Sequence, residues 1–274
     1  MLQDITLSFV GSGIMAEAMI QGLLSQELIE AGQIIASGPR PERGQELKER
    51  YGVVPTTDNK EATRKGDVVV LSVKPQVLAP VLVELKGLIQ PEALVLSIVA
   101  GARISVIAHG LDHQAIVRSM PNTPAQVGEG MTVWTATKET TEKQRGQAQT
   151  ILQALGEEIY VEEEDYLDMA TALSGTGPAY IFLFMEALID AGVHLGFSRR
   201  VAQQLVLQTM QGSVTFARRS TQHPAQLRNM VTSPGGTSAE ALYQLEKGGL
   251  RTVVSRAIWA AYQKSRYLGG LSEK

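Results

Sequence analysis

Hydroxyls, glycines and a shortage of strong bases define the chemistry open to this chain. Val231-Thr-Ser-Pro-Gly-Gly-Thr-Ser238 gathers four side-chain hydroxyls around a proline and two adjacent glycines. Glycines let successive backbone N–H groups point to one side, and such nests bind anions. Ser238 opens an apolar helical pattern, so a helix N-terminus adds its positive dipole end. The same residues also suit a plain turn between helices, and taken alone they do not choose between the two. Ser174-Gly-Thr-Gly-Pro-Ala-Tyr180 is a second stretch of hydroxyls and bare backbone, which could equally be a packing kink. Lysine is absent from Gln144 to Glu246, which removes a lysine acid/base from that part. A site of hydroxyls and N–H donors suits hydride addition to an already electrophilic C=N bond. Such a reaction needs the substrate held, its acid group anchored and one proton supplied.

Other catalytic chemistries find less support. Cysteine is absent, which excludes thiolate catalysis, disulfides and cysteine metal sites. Glu186, Asp190 and His194 repeat at helical spacing on one face, without the second ligand cluster that a bundle metal site requires. They read as an interhelical polar stripe, and no metal is expected. His223 precedes Pro224 at a helix start and fits a capping role, while His109 and His113 flank a glycine in a connection. Met169, Met185 and Met210 read as core.

A cofactor constellation occupies the first half. Gly11-Ser12-Gly13-Ile14-Met15-Ala16 follows a strand and opens a helix, the context a dinucleotide fingerprint demands. Gly11 permits the sharp turn, Gly13 lets a pyrophosphate approach the backbone, and Ala16 lets helix and strand pack closely. The second strand ends in Ala36-Ser37-Gly-Pro-Arg40, without the acid that holds both ribose hydroxyls of NAD. Ser37 can donate to a 2′-phosphate and Arg40 offers it a charged fork. NADPH is therefore the expected cofactor, with NADH the weaker alternative. Val73, Lys74 and Pro75 end the third strand at the edge where such sheets bind ligands. Asn59, in the preceding loop, either reaches the adenine ribose or is a turn residue. Ser97 to Gly101, including Ala100, and Ser119 to Pro124 should line the nicotinamide end.

The elements that carry these residues change character near residue 163. Before it, short apolar runs at 5–10, 33–37, 67–72, 94–98 and 115–118 alternate with helical stretches. That pattern predicts right-handed crossovers and a mostly parallel sheet, with a further strand at 131–137 and an edge strand at 159–161. After it, 165–195, 199–219, 224–231, 236–247 and 250–268 carry helical spacing. The reading is an α/β dinucleotide-binding domain over 1–163 and an all-α domain over 164–274. Helices this long need a partner surface, so a helical homodimer is expected. A formal charge of −3 and no basic block argue against nucleic acid. The longest apolar stretch, Pro178 to Phe197, is interrupted by Glu186, Asp190 and His194, and a signal peptide is not expected from the residues before the first strand. A cytoplasmic protein without a membrane span is expected.

Taken together, the chain resembles the pyrroline-5-carboxylate reductases. The resemblance rests on Gly11–Ala16, Val73-Lys-Pro75, Met120-Pro-Asn-Thr-Pro124, Leu173–Tyr180 and the block from Pro224 to Lys247. It implies a Rossmann domain, a helical dimerisation domain, and a site across the dimer, with dimers often assembled further into a ring. It implies hydride transfer from NADPH to C5 of Δ1-pyrroline-5-carboxylate, giving L-proline. On the same grounds the substrate carboxylate meets Ser233 and the N–H groups of Gly236 and Thr237. Ser238 bonds the ring nitrogen, and Glu164 approaches the site. Position 238 is usually threonine in the family. Serine keeps the hydroxyl but loses the methyl that fixes its rotamer.

Overall fold

The computed structural model describes residue 2 and residues 4–272. Its first half alternates strand and helix. The strands are β1 (Leu7–Val10), β2 (Ile34–Ser37), β3 (Val54–Thr56), β4 (Val68–Leu71), β5 (Leu94–Ser97), β6 (Ile116–Met120), β7 (Gly130–Ala136) and β8 (Gly156–Tyr160). Between them run helices α1 (Ile14–Ser25), α2 (Pro41–Tyr51), α3 (Asn59–Lys65), α4 (Leu78–Leu85), α5 (Ile104–Leu111) and α6 (Glu142–Gln153). The strands form one eight-stranded sheet in the order β3-β2-β1-β4-β5-β6-β7-β8. All neighbours are parallel except β6 and β7. The chain order reverses direction between β1 and β4, and this switch point opens the ligand-binding crevice of such sheets.

The apolar strands sort their side chains by the period of two. Val68 and Val70 enter one core with Leu7, Phe9, Met19 and Ile20, whereas Val69 and Leu71 enter the other with Leu82, Leu85 and Ile107. Both faces are thus covered, as a continuous hydrophobic run in a parallel sheet requires. Two elements differ from expectation. β3 and α3 occupy what the sequence presents as connection, and Asn59 opens α3 instead of lying in a loop. Both lack an apolar signature: β3 is partly exposed and contains Pro55, and α3 is built mostly from charged residues. His109 likewise lies within α5.

The remaining elements are helical: α7 (Tyr166–Ala170), a π-helical turn (Thr171–Gly175), α8 (Gly177–His194), α9 (Arg199–Arg219), α10 (Pro224–Met230), α11 (Thr237–Lys247) and α12 (Leu250–Ser272). Two compact units emerge, one of 1–178 with 260–274, the other of 179–259. The end of α12 therefore belongs with the sheet. Ser265 is buried there and donates to Asp168 Oδ1 at 2.8 Å. In the second unit α8 and α9 pack where Gly192 faces Ala202, since a Cβ on Gly192 would come within 3.0 Å of the alanine. Large apolar side chains on these helices, among them Phe182, Leu183, Val214 and Phe216, are exposed in the single chain. Met169 is also exposed and Met185 and Met210 are only part-buried, so the expected core methionines are not core in the single chain.

Candidate active site

The turn after β1 is built by backbone geometry that only glycine satisfies. Gly11 has φ +106, and a Cβ there would lie 2.7 Å from the carbonyl oxygen of Ser72. Its N–H donates to the Ser37 carbonyl at 3.0 Å, and Ser72 Oγ donates back to the Gly11 carbonyl at 2.7 Å. Three strand ends are thereby laced together. Gly13 caps α1 in extended conformation with open space where a Cβ would be, and no side chain caps the helix. The first N–H groups of α1 therefore have no side-chain partner at a positive dipole end, while Ala16 is fully buried against the sheet. A bare cradle at the switch point, with no acid at the end of β2, fits a dinucleotide carrying a 2′-phosphate. Ile14 is exposed and Met15 part-buried at the start of the helix.

The other expected cofactor residues divide into those that face outward and those that hold them. Arg40 caps α2 and is exposed, as are Lys74 and Pro75; Val73 is part-exposed. Pro75 and Ala100 line a groove of about 900 Å³ between α4 and α5. Ser37 and Ser97, by contrast, have no exposed surface. The Ser37 hydroxyl donates to Asn59 Oδ1 at 2.7 Å, and Ser97 Oγ accepts from the Val99 N–H at 3.2 Å. Ser12, nearly buried, fills the space beside Gly38, where a Cβ would approach its Oγ to 2.2 Å.

After β6 the chain grips the π-helical turn. Asn122 Nδ2 donates to the Ser174 carbonyl at 3.1 Å, and its Oδ1 accepts from the Met131 N–H at 2.9 Å. Gly175 lies so close to Met120 that a Cβ would meet its Cε at 2.8 Å. The hydroxyls that made this segment attractive are spent on helix carbonyls. Thr171 donates to Leu167, Ser174 to Ala170 and Thr176 to Thr171. The segment thus offers shape and backbone, and its threonines and serine are tied inward.

Glu164 stands at the same end of the sheet. Its Oε1 accepts from Arg118 Nη1 at 2.6 Å and from the Ile104 N–H at 2.8 Å, which caps α5. Arg118 is itself 2% exposed and reaches Asp168, also 2% exposed, at 3.5 Å. Sequence patterning missed this buried cluster because its members come from β6, α5 and α7, far apart in the chain.

In the second unit, Ser233 to Gly236 form a tight turn closed by the Gly236 N–H on the Ser233 carbonyl at 3.1 Å. Pro234 and Gly235, the latter with φ +71, occupy the central positions that a type II turn demands. Gly236 then caps α11 without a side chain, leaving the N–H groups of the first turn, Thr237 and Ser238, uncapped by side chains. A Cβ on Gly236 would come within 3.0 Å of Ser233 Oγ, so glycine keeps that exposed hydroxyl open. Ser233, Thr237 and Ser238 are brought to one helix start, with Ser238 part-buried. His223 caps α10, accepting from the Ala225 N–H through Nδ1, as its place before Pro224 predicts. Asp190, from the polar stripe on α8, is paired with Arg199 at 2.8 Å.

Comparison with known proteins matches both halves. A family described as "Pyrroline-5-carboxylate reductase dimerisation" matches residues 164–268, and one described as "NADP oxidoreductase coenzyme F420-dependent" matches residues 6–101. A pyrroline-5-carboxylate reductase of Synechocystis is 42% identical over 97% of this chain and 99% of that protein. One from Pseudomonas aeruginosa is 39% identical over 96% of each. Among solved structures, a Plasmodium falciparum pyrroline carboxylate reductase with NADP bound superposes with TM-score 0.90 at 35% identity. It covers 97% of this chain and 99% of that one. A Coxiella burnetii pyrroline-5-carboxylate reductase gives 0.88 at 37% identity, over 96% and 98%.

Proposed function

The chain belongs to the pyrroline-5-carboxylate reductase family, and on that footing we propose that it reduces Δ1-pyrroline-5-carboxylate to L-proline with NADPH, the last step of proline biosynthesis. The observation that carries this reading is the pair of uncapped helix starts, Gly13 before α1 and Gly236 before α11. One suits a pyrophosphate and the other a carboxylate. When bound, the cofactor supplies the hydride that reaches the imine carbon. The protein's own part is to bind, orient and supply one proton.

The substrate carboxylate is held by Ser233 and the backbone of Gly236 and Thr237. Because the Gly236 N–H already closes its turn, its share is chiefly the space it leaves beside Ser233, and the Thr237 N–H is the stronger donor. Several donors on one carboxylate fix the ring, and orientation supplies much of the rate. Ser238, one residue into α11, faces the ring nitrogen and relays or orients its proton. Glu164 supports the site through its bonds to Arg118 and α5. At the cofactor edge, Gly11, Ser12, Gly13, Ile14, Met15 and Ala16 cradle the pyrophosphate. Arg40, Asn59, Val73, Lys74, Pro75 and Ala100 border the rest, with Ser37 and Ser97 behind them. NADH is the weaker cofactor.

We further propose residues 1–163 and 164–274 as the functional domains, the second forming a homodimer that assembles into a larger ring. The matched dimerisation range supports this, as do the exposed apolar side chains of α8 and α9. Residues 166–194 are long and apolar enough by composition to cross a membrane. They carry Glu186 and Asp190 and lie inside the matched dimerisation range, which favours a subunit interface in a cytoplasmic enzyme. Following NADPH absorbance with pyrroline-5-carboxylate and with its six-membered analogue tests the reading. Turnover is expected to favour the five-membered ring. Preference for the larger ring would point to another cyclic-imine reductase, and no turnover on either would point to a nucleotide-binding sensor.

A further inference from the structure

A short hydrogen-bonded chain runs from the end of β2 to α4. Ser37 Oγ donates to Asn59 Oδ1 at 2.7 Å, and Asn59 Nδ2 donates to Glu84 Oε2 at 3.1 Å. Ser37 is wholly buried, whereas Asn59 and Glu84 are part-exposed. The backbone under Asn59 is also fixed, because Asp58 caps α3 by accepting from the Lys60 and Glu61 N–H groups. The two ends of an amide are distinguished only by their partners. A carboxylate accepts and never donates, so Glu84 holds the Nδ2 end, and Oδ1 is left to face Ser37. The hydrogen in that second contact must then be the serine's. Asn59 is gripped from both sides, with one N–H and one lone pair still to offer.

We propose that Glu84 is a positioning residue for the cofactor site. By accepting from Asn59 Nδ2, it sets which end of the Asn59 amide is presented to the adenosine end of the dinucleotide. The proposal rests on reading the end of β2 as part of the cofactor site. The role requires an acceptor at residue 84 and does not require its charge. Glutamine keeps an acceptor, whereas alanine removes it. If the charge itself mattered, it would repel a nearby phosphate, and either substitution would then tighten binding.

Calorimetric titration of the full chain with 2′,5′-ADP, beside steady-state kinetics with NADPH, tests this. Glu84→Ala is expected to weaken 2′,5′-ADP binding about three- to tenfold, the scale of one net hydrogen bond. It should raise KM for NADPH by a similar factor while leaving kcat and the KM for the imine substrate unchanged. Glu84→Gln should restore both values to within about twofold of wild type, again on the scale of a hydrogen bond retained. Unchanged binding by Glu84→Ala overturns the proposal, as does Glu84→Gln behaving like alanine, or tighter binding by both. A wild-type chain that fails to bind 2′,5′-ADP overturns the cofactor-site reading, and this proposal with it.

Discussion

At the scale of single residues, the proposed catalysis turns on what a hydroxyl can do at the start of a helix. Ser238 sits where the uncapped N–H groups of α11 create positive potential, part-buried beside the Ser233–Gly236 turn. A proton relay or an oriented ring nitrogen matters most as charge changes on the imine, so its contribution belongs to the transition state. Ser238→Ala is accordingly expected to lower kcat at least as much as it weakens substrate binding, with a loss of about tenfold or more. That loss corresponds to about 1.4 kcal/mol. Steady-state kinetics across substrate concentrations checks this; a rise in KM alone would make the contact uniform binding. The Thr237 hydroxyl lies one residue away and could share the task, so the double variant should lose more than either single change.

At the scale of elements, a buried polar cluster joins β6, α5, α7 and the end of α12. Asp168 Oδ1 accepts from Ser265 and lies 3.5 Å from Arg118 Nη2, while Oδ2 lies 3.5 Å from Arg103 Nη2 and accepts no hydrogen bond. Breaking a buried ion pair by removing one partner leaves a charge without compensation, which costs about 3–5 kcal/mol. Arg118→Met, which takes Arg118 from both Glu164 and Asp168, is predicted to lose stability on that scale in denaturant titration, and Asp168→Leu, which leaves Arg118 its bond to Glu164, to lose less. A loss below about 1 kcal/mol would show that the pair is no more than surface-like. None of this was legible in the sequence, where the members of the cluster have only a weak polar signature among apolar neighbours. The sheet was legible, because strands buried on both faces read as apolar runs such as Val68–Leu71. The fingerprint at Gly11–Ala16 was legible because its glycines have fixed geometric duties. Short β3 and charged α3 were not, since neither has a periodic apolar face. The contact of Asn59 with Glu84 was not, since it spans 25 residues between two helices. Hydroxyl chemistry was over-read at Ser174 and Thr176, where local bonds to helix carbonyls compete with exposure.

At the scale of the whole molecule, stability is coupled to pH through a buried imidazole. Burial lowers the pKa of His113 from its usual value, against a smaller opposing pull from the bond of Nε2 to the Ala93 carbonyl at 2.8 Å. The ring is held neutral in the folded chain but takes up a proton on unfolding once pH drops below about 6.5. The unfolded state then binds more protons, so stability is fully present above that pH and is lost as pH falls towards the lowered folded value. The loss from this one group approaches about 1.4 kcal/mol per pH unit. His113→Gln, which keeps a donor for Ala93 without titrating there, should flatten the fall of the unfolding midpoint between pH 7 and pH 5. An identical slope in the variant would place the acid sensitivity elsewhere.

The same scale holds the central claim, that a protein carrying both a dinucleotide cradle and a carboxylate anchor reduces a cyclic imine. The most direct test is stoichiometry. Purified protein, NADPH and Δ1-pyrroline-5-carboxylate are mixed, and NADPH oxidation is followed while proline is assayed in the same sample. The account predicts one proline formed for each NADPH consumed. NADPH oxidised without matching proline, or no oxidation at all, would contradict it.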